Sequence, residues 1–236
     1  MTFRIGAAAI AIALASNAAA QAQAFQCRPP ASTPVLRAES PDGPVRRTAA
    51  TGYTLALSWS PEFCRNRTRD PAHATQCSGR SGRFGFIVHG LWPESGAGWP
   101  QWCRRVAPPS PGLVRAQHCR TPSAALVGHA WAKHGSCMAR EPAGYFAVSN
   151  LLADSIVYPD MERLSRQPGL TAGVLRDSFA AANPGRPAAS FGLSVGRGGW
   201  LREVGVCLDR RFRPVRCPAR RRGPADGSPL KVWRGL

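Results

Sequence analysis

Eight cysteines constrain this chain of 236 residues more than any other feature, and all of them lie beyond an N-terminal segment that resembles an export signal. An even number of cysteines in an exported chain predicts a disulfide framework that leaves no free thiol. The spacing favours local pairing of Cys64 with Cys77, which bracket a polar loop, and of Cys207 with Cys217, which bracket a predicted hairpin. The other disulfide candidates are Cys27, Cys103, Cys119 and Cys137. No Cys-x-x-Cys pair is present, so we expect no metal site.

Residues 1–24 are predicted to be a secretory signal peptide. Arg4 precedes an apolar run from Ile5 to Ala15, and small residues follow up to Ala24, which is the pattern of a cleaved leader. The apolar run is too short to span a bilayer, and no later stretch of the sequence is long and apolar enough to do so. We therefore expect export to the periplasm or the medium, without a membrane span.

The rest of the chain is predicted to be a single domain with a loose start. Residues 25–50 contain several prolines and charges with little apolar periodicity, which predicts a flexible N-terminal tether. The domain is predicted over residues 51–236, because the sequence shows no internal repeat and no second domain. We expect this domain to be a monomer.

The pattern along the domain predicts the α+β class. Residues 53–59 alternate as a strand, and a β-branched run over residues 85–89 predicts a second strand with His89 at its tip. A helix is predicted to start at Pro122 and Ser123 and to stop at Gly135. One or two further helices are predicted over residues 145–164, and further strands near residues 191–195, 200–207 and 230–233.

The formal net charge of +18 predicts affinity for polyanions, because lysine and arginine contacts to phosphates release counterions. RNA fits this charge, but an anionic membrane or cell surface fits it as well. The arginine run at residues 220–222 is open to two interpretations, a polyanion contact and a solvated tail. Charge alone therefore does not choose the partner.

Residues 86–94 and 129–137 hold three of the five histidines of the chain beside one lysine and two tryptophans. Two imidazoles that titrate near neutral pH can act as proton acceptor and proton donor in one reaction, while a nearby lysine holds an anion. On a helix, His129, Ala130, Lys133 and His134 share one broad face, and Trp131 points elsewhere, towards the core. Such a face is expected to line a cleft, because buried imidazole and ammonium groups need partners. These segments indicate an acid–base site for a phosphate diester.

Their sequences, His-Gly-Leu-Trp-Pro from His89 and His-Ala-Trp-Ala-Lys-His-Gly-Ser-Cys from His129, resemble the paired active-site signatures of the ribonuclease T2 family. The resemblance extends over about residues 52–236. It implies an α+β fold around a central antiparallel sheet with flanking helices. It also implies an endoribonuclease that needs no metal or other cofactor and cuts single-stranded RNA through a 2′,3′-cyclic phosphate.

The resemblance also implies a role for each site residue. His134 would take the proton of the 2′-hydroxyl, His89 would protonate the departing 5′-oxygen, and Lys133 with His129 would bind the phosphate and stabilise its growing charge. Trp92 is a candidate for stacking on a base, and Glu94 for accepting from a base amino group. The alternatives are core packing for Trp92 and a solvated turn carboxylate for Glu94. Trp99 is a weaker stacking candidate.

One position departs from the family pattern. The family carries a glutamate where this chain has Ala130, and loss of one electrostatic contributor commonly costs about 10²–10³ in rate. We therefore expect a weakened ribonuclease, with Glu141 as a possible substitute for the acid. Two alternatives remain open: a catalytically silent RNA-binding relative, and a basic, disulfide-rich protein that binds cell surfaces. The last explains the charge and the cysteines, but it does not explain the two histidine segments.

Overall fold

A computed structural model describes residues 24–96 and 98–235, so the predicted signal peptide lies almost wholly outside the described residues. The described strands are β1 (Ala24–Phe25), β2 (Gly52–Trp59), β3 (Arg83–Phe84), β4 (Phe86–Glu94), β5 (Phe191–Val195) and β6 (Leu201–Asp209). The described α-helices are α1 (Ser60–Cys64), α2 (Ala74–Cys77), α3 (Pro111–Gln117), α4 (Ala124–Lys133), α5 (Pro142–Asp154), α6 (Met161–Ser165), α7 (Ala172–Ala182) and α8 (Ala219–Arg222).

The main sheet is antiparallel and has the strand order β4-β2-β6-β5, which confirms the predicted α+β fold with a central antiparallel sheet. Strands β1 and β3 pair separately. The apolar residues of the main sheet share one core with the flanking helices, since burying one face of a sheet against helices removes apolar surface from water. The largest fully buried side chains of this core include Trp131, Tyr145, Phe86, Phe179 and Phe191.

Strand β4 is longer than predicted, and His89 lies within it rather than at its tip. Gly90 continues the strand opposite Ala56, next to an irregularity in the register between Ala56 and Leu57. The buried Tyr145 hydroxyl accepts from the Leu91 amide at 3.0 Å and donates to the Leu91 carbonyl at 3.1 Å, which ties this part of β4 to α5. The sequence prediction was wrong here because glycine was taken as a strand end, whereas tertiary contacts keep the backbone extended.

Helix α4 agrees with the prediction. The Ser123 hydroxyl caps it by accepting from the Leu126 amide at 3.2 Å. Its last turn leads into Gly135, where an added Cβ would lie 2.4 Å from Trp131 Cε3 and 2.9 Å from Tyr145 Cγ. A glycine is therefore needed at this position for close packing. The predicted face of the helix ends at Lys133 and the C-cap residue His134, and Trp131 is buried.

All eight cysteines are paired, and both local pairings predicted from the sequence are present, Cys64–Cys77 and Cys207–Cys217. The other two disulfides are Cys27–Cys119 and Cys103–Cys137. The first of these joins the N-terminal segment to the region between α3 and α4. The second joins the segment before α3 to the turn that follows α4.

The two ends of the described chain lie against the domain. Leu36 packs on the core, and Arg46 forms a backbone bridge with Gln101; the flexibility predicted for residues 25–50 stays a prediction.

The prediction of a strand at residues 230–233 was wrong, because the segment forms only an isolated parallel bridge between Lys231 and Trp200. Helices α5 and α6 account for the helical pattern predicted over residues 145–164. No helix within the described residues has the length and apolar character needed to cross a membrane.

Candidate active site

The two histidine segments meet at one cavity of 230 Å³ between β4 and α4. Strand β4 places His89 and Trp92 on one wall, and the predicted face of α4 forms the other. The lining residues are His89, Trp92, Trp99, Leu126, His129, Ala130, Lys133, His134 and Arg221. The four residues that helical geometry placed on one face are thus brought together with the histidine of the other segment.

His89 is held by two residues from neighbouring strands. Its Nδ1 lies 2.6 Å from Glu203 Oε2 and 3.2 Å from Ser58 Oγ, and the Ser58 hydroxyl also donates to Glu203 at 3.1 Å. With Nδ1 donating to a carboxylate, Nε2 is the nitrogen left for a substrate. Sequence reasoning missed Glu203 and Ser58, because they face each other only through the pairing of β2 with β6.

His134 has a different environment. Only 8% of the surface of His134 is exposed, and its Nδ1 has no hydrogen-bond partner among the described residues. Burial holds the pKa of His134 well below the usual histidine value, and the positive charges of Lys133 and other cationic neighbours lower it further. A buried imidazole with a lowered pKa is neutral near pH 7, so it is ready to accept a proton.

The phosphate-binding candidates are already engaged by two carboxylates from the N-terminal segment. His129 Nδ1 lies 2.9 Å from Glu39 Oε2, and Lys133 Nζ donates to Asp42 Oδ2 at 2.9 Å. Trp102 Nε1 donates to the other oxygen of Asp42 at 3.0 Å. The hydrogen bond from Lys133 is the main cause that lowers the pKa of Asp42, so this carboxylate is ionised. Sequence reasoning missed both acids, because residues 25–50 show no periodic pattern.

The candidates for base binding separate into two kinds. Trp92 and Trp99 line the cavity, with the Arg221 guanidinium carbon 5.0 Å and 5.7 Å from their ring centroids. Glu94 is buried outside the cavity lining, where it accepts from Thr54 at 2.7 Å, from Arg220 at 3.0 Å and from Arg221 at 2.6 Å. A base amino group would therefore have to share an occupied carboxylate, and the predicted base contact of Glu94 stays a prediction.

Arg220 and Arg221 hold the C-terminal segment against the domain through their hydrogen bonds to the Glu94 carboxylate. The third arginine of the run, Arg222, pairs with Asp226 at 2.7 Å. These contacts favour a structural role for the run over a solvated tail. Arg221 adds a second role, because it is the member of the run that reaches the cavity wall.

Ala130 lines the cavity and is 3% exposed, so the wall has a methyl group at the position where the sequence resemblance implies a carboxylate. Glu141, the suggested substitute, precedes α5 on the exposed surface and is not part of the lining. Within residues 24–96 and 98–235, no group of three or more histidine, cysteine or acidic side chains has the arrangement of a metal site. The expectation of a reaction without a cofactor stays a prediction.

The sequence model of the Ribonuclease T2 family matches residues 51–161. A probable ribonuclease of Haemophilus influenzae is 30% identical over 71% of this chain and 61% of its own length, so the chain spans about three fifths of that relative. A ribonuclease of Aeromonas hydrophila is 31% identical over 67% of this chain and 71% of its own length. Among solved structures, RNase NT in complex with 5′-AMP superposes with a TM-score of 0.55 at 20% identity, covering 78% of this chain and 98% of that one.

Proposed function

Because this chain belongs to the ribonuclease T2 family, we propose that it is an endoribonuclease that cleaves single-stranded RNA to 2′,3′-cyclic phosphate ends without a metal. The observation that carries this proposal is the convergence of His89, His129, Lys133 and His134 on one cavity. Two imidazoles and an ammonium group in one cavity provide a base, an acid and an anion site.

His134 is the general base. It is neutral because burial lowers its pKa, so it can take the proton of the 2′-hydroxyl as that oxygen attacks phosphorus. The nucleophile is the 2′-hydroxyl of the RNA, and the reaction therefore needs no nucleophilic side chain of the protein. DNA lacks this hydroxyl and should not be cleaved.

His89 is the general acid. The hydrogen bonds of Nδ1 to Glu203 and Ser58 hold the ring. In the imidazolium form, in which both ring nitrogens carry a proton, Nε2 gives its proton to the 5′-oxygen as the bond from phosphorus to that oxygen breaks, and the ring is left neutral with its proton on Nδ1. Glu203 is a positioning residue in this scheme, because it acts through His89 and does not touch the substrate. Lys133 and His129 bind the phosphate and stabilise the charge that grows on it.

Two cavities that both reach His89 give room for the nucleotides that flank the cleaved bond. Trp92 and Trp99 offer aromatic surfaces for a base in the 230 Å³ cavity. A second cavity of 390 Å³, lined by Phe63, His73 and Leu126 among others, also reaches His89 and His129. The basic surface adds salt-dependent attraction for the rest of the RNA.

Export completes the proposal. Four disulfides require an oxidising destination, which agrees with the signal peptide proposed for residues 1–24. We place the enzyme in the periplasm or the medium, as a monomer.

The direct test uses the purified, oxidised protein with single-stranded RNA in EDTA, with the product ends identified by mass spectrometry. We expect 2′,3′-cyclic phosphate ends and no cleavage of DNA of the same sequence. A requirement for added zinc, or a linear phosphate as first product, would contradict the mechanism.

Ala130 favours the second candidate, a catalytically silent RNA-binding relative, because the cavity wall lacks the family acid. Binding of RNA without cleavage by the wild type, under every condition of pH and salt tried, would establish that alternative.

A further inference from the structure

The N-terminal segment contacts the cationic face of α4 and is anchored at both of its ends. The disulfide Cys27–Cys119 fixes its start. Further along, the backbone of Arg46 exchanges two hydrogen bonds with Gln101, both 3.0 Å long. We call residues 28–45 between these anchors the strap. Glu39 and Asp42 are the acids of the strap.

Both acids of the strap contact the residues assigned to phosphate binding, Lys133 and His129. Asp42 Oδ2 accepts from Lys133 at 2.9 Å and lies 3.8 Å from His129 Nε2, while Glu39 Oε2 lies 2.9 Å from the other nitrogen of His129. Each nitrogen of this imidazole therefore faces a carboxylate. The chain has only 13 acidic residues against 31 basic ones, so most cations of the surface have no such partner available.

The strap sits closely on the helix. An added Cβ at Gly128 would lie 3.1 Å from Leu36 Cδ1 and 3.2 Å from Glu39 Oε1, so a larger residue there would push the strap away. The carboxylates themselves remain accessible, since the side chains of Glu39 and Asp42 are 31% and 50% exposed. Partly exposed ion pairs are weak enough for another anion to replace them.

We propose that the strap is an internal competitor of RNA, in which Asp42 occupies the Lys133 ammonium that the substrate phosphate needs. This inference rests on the proposed function, because it takes Lys133 as the phosphate ligand. Removing the Asp42 charge leaves Lys133 without its carboxylate partner, and binding of an anion then no longer requires displacement of that carboxylate. Asp42 therefore sets the affinity of the site for phosphate.

The test measures binding of inorganic phosphate to the full oxidised chain by NMR titration of the His129 ring signals, in wild type and in Asp42→Asn. We expect the dissociation constant to fall by about 2- to 5-fold, the range for a partly exposed ion pair. Trp102→Phe, which removes the hydrogen bond on Asp42 without changing any charge, should act in the same direction by a smaller factor.

Glu162→Gln is the matched control, because it also removes one negative charge. Glu162 is an exposed carboxylate on α6 that pairs with Arg166, the residue after this helix. An equal gain in the control, or weaker phosphate binding by Asp42→Asn, would overturn the proposal. The second result would make Asp42 a positioning residue for Lys133 instead. In Asp42→Asn, KM for RNA should fall in parallel with the dissociation constant for phosphate, while kcat changes little. If the wild type cleaves no RNA, the proposed function fails, whereas the phosphate titration still tests the strap.

Discussion

The two walls of the cavity supply histidines in opposite physical states. On the β4 wall, His89 is partly exposed and its Nδ1 is bonded to Glu203 at 2.6 Å. On the α4 wall, His134 is buried, its Nδ1 has no partner among the described residues, and burial keeps its pKa low. Two side chains of the same type are thus suited to different steps of the reaction. The carboxylate bonded to His89 suits it to donate a proton, and the burial that lowers the pKa of His134 suits it to accept one.

The walls also differ in how they are built. The β4 wall is made by strand pairing, which brings Ser58 and Glu203 beside His89. The α4 wall is made by one helix whose charged face is covered by the strap. A change at Ser58 or Glu203 is expected to act on proton transfer by His89. A change on the α4 wall is expected to act on the binding of phosphate and on proton transfer by His134.

The largest effect should come from the histidines. Replacement of His134 or of His89 by alanine should each lower kcat for RNA by about 10²–10⁴, the usual contribution of an acid or a base. A nucleoside 3′-phosphate ester with a nitrophenol leaving group, which needs no proton, separates the two roles. We expect this substrate to restore most of the lost rate to His89→Ala and none to His134→Ala. Rescue of the second variant only would exchange the two assignments.

Restoring the family acid should have the next largest effect. Ala130→Glu is expected to raise kcat by up to about 10²-fold, because the carboxylate would join the α4 wall between the groups that hold the phosphate. KM should barely change, which steady-state kinetics on a short RNA will show. A fully active wild type that is slowed by the substitution would mean that another group already occupies this space. Glu141→Gln is the companion variant, and it should leave kcat unchanged because Glu141 is exposed and lies outside the cavity lining.

Glu203→Gln should lower kcat by about 10- to 100-fold, since a charge-assisted hydrogen bond contributes about 1.5–3 kcal/mol. The amide keeps the shape of the side chain, so KM should stay near the wild-type value. Glu162→Gln on α6 again serves as the control for charge, and it should leave kcat unchanged. A loss confined to thermal stability, with normal kcat and a normal pH profile, would reduce Glu203 to a structural partner of His89.

The smallest effect concerns pH. Protonation of His134 stops it from accepting a proton, and burial places its pKa below about 6.5, so the acidic limb of kcat/KM should lie below pH 6.5. Arg221→Gln removes a positive charge that lowers the pKa of His134, so the limb should move to higher pH. Arg222→Gln, beside it but outside the cavity lining, should leave the limb in place. A limb that moves down would contradict the assignment of the base.

The same lowered pKa links stability to pH. Below about pH 6.5, His134 is protonated in the unfolded chain but stays neutral in the folded chain until the pH reaches its lowered pKa. The unfolded state then binds more protons, so the free energy of unfolding falls as the pH decreases.

Much of the α4 wall could be predicted from the sequence. A period of 3.6 residues, a capping Ser123 and a closing Gly135 are local signals, and they place His129, Lys133 and His134 on one face whatever surrounds the helix. The two local disulfides were predictable for the same reason, because residues 10 and 13 apart along the chain are close before the domain forms.

The β4 wall was predicted only in part. The strand itself was visible, but its continuation past Gly90 depends on the pairing with β2 and on the Tyr145 hydroxyl. The failed strand prediction at residues 230–233 has the same origin, since an apolar run forms a strand only where a sheet edge accepts it.

What the sequence by itself determined is the chemical inventory: which side chains can carry protons, which helix face presents them, and which cysteines close short loops. Only the tertiary structure decided how each group is tuned. Glu203 is 114 residues from His89 and Asp42 is 91 residues from Lys133, and no local pattern encodes such distances. The low pKa of His134 likewise follows from burial by the whole domain, because desolvation is a property of the packed environment and not of the residue.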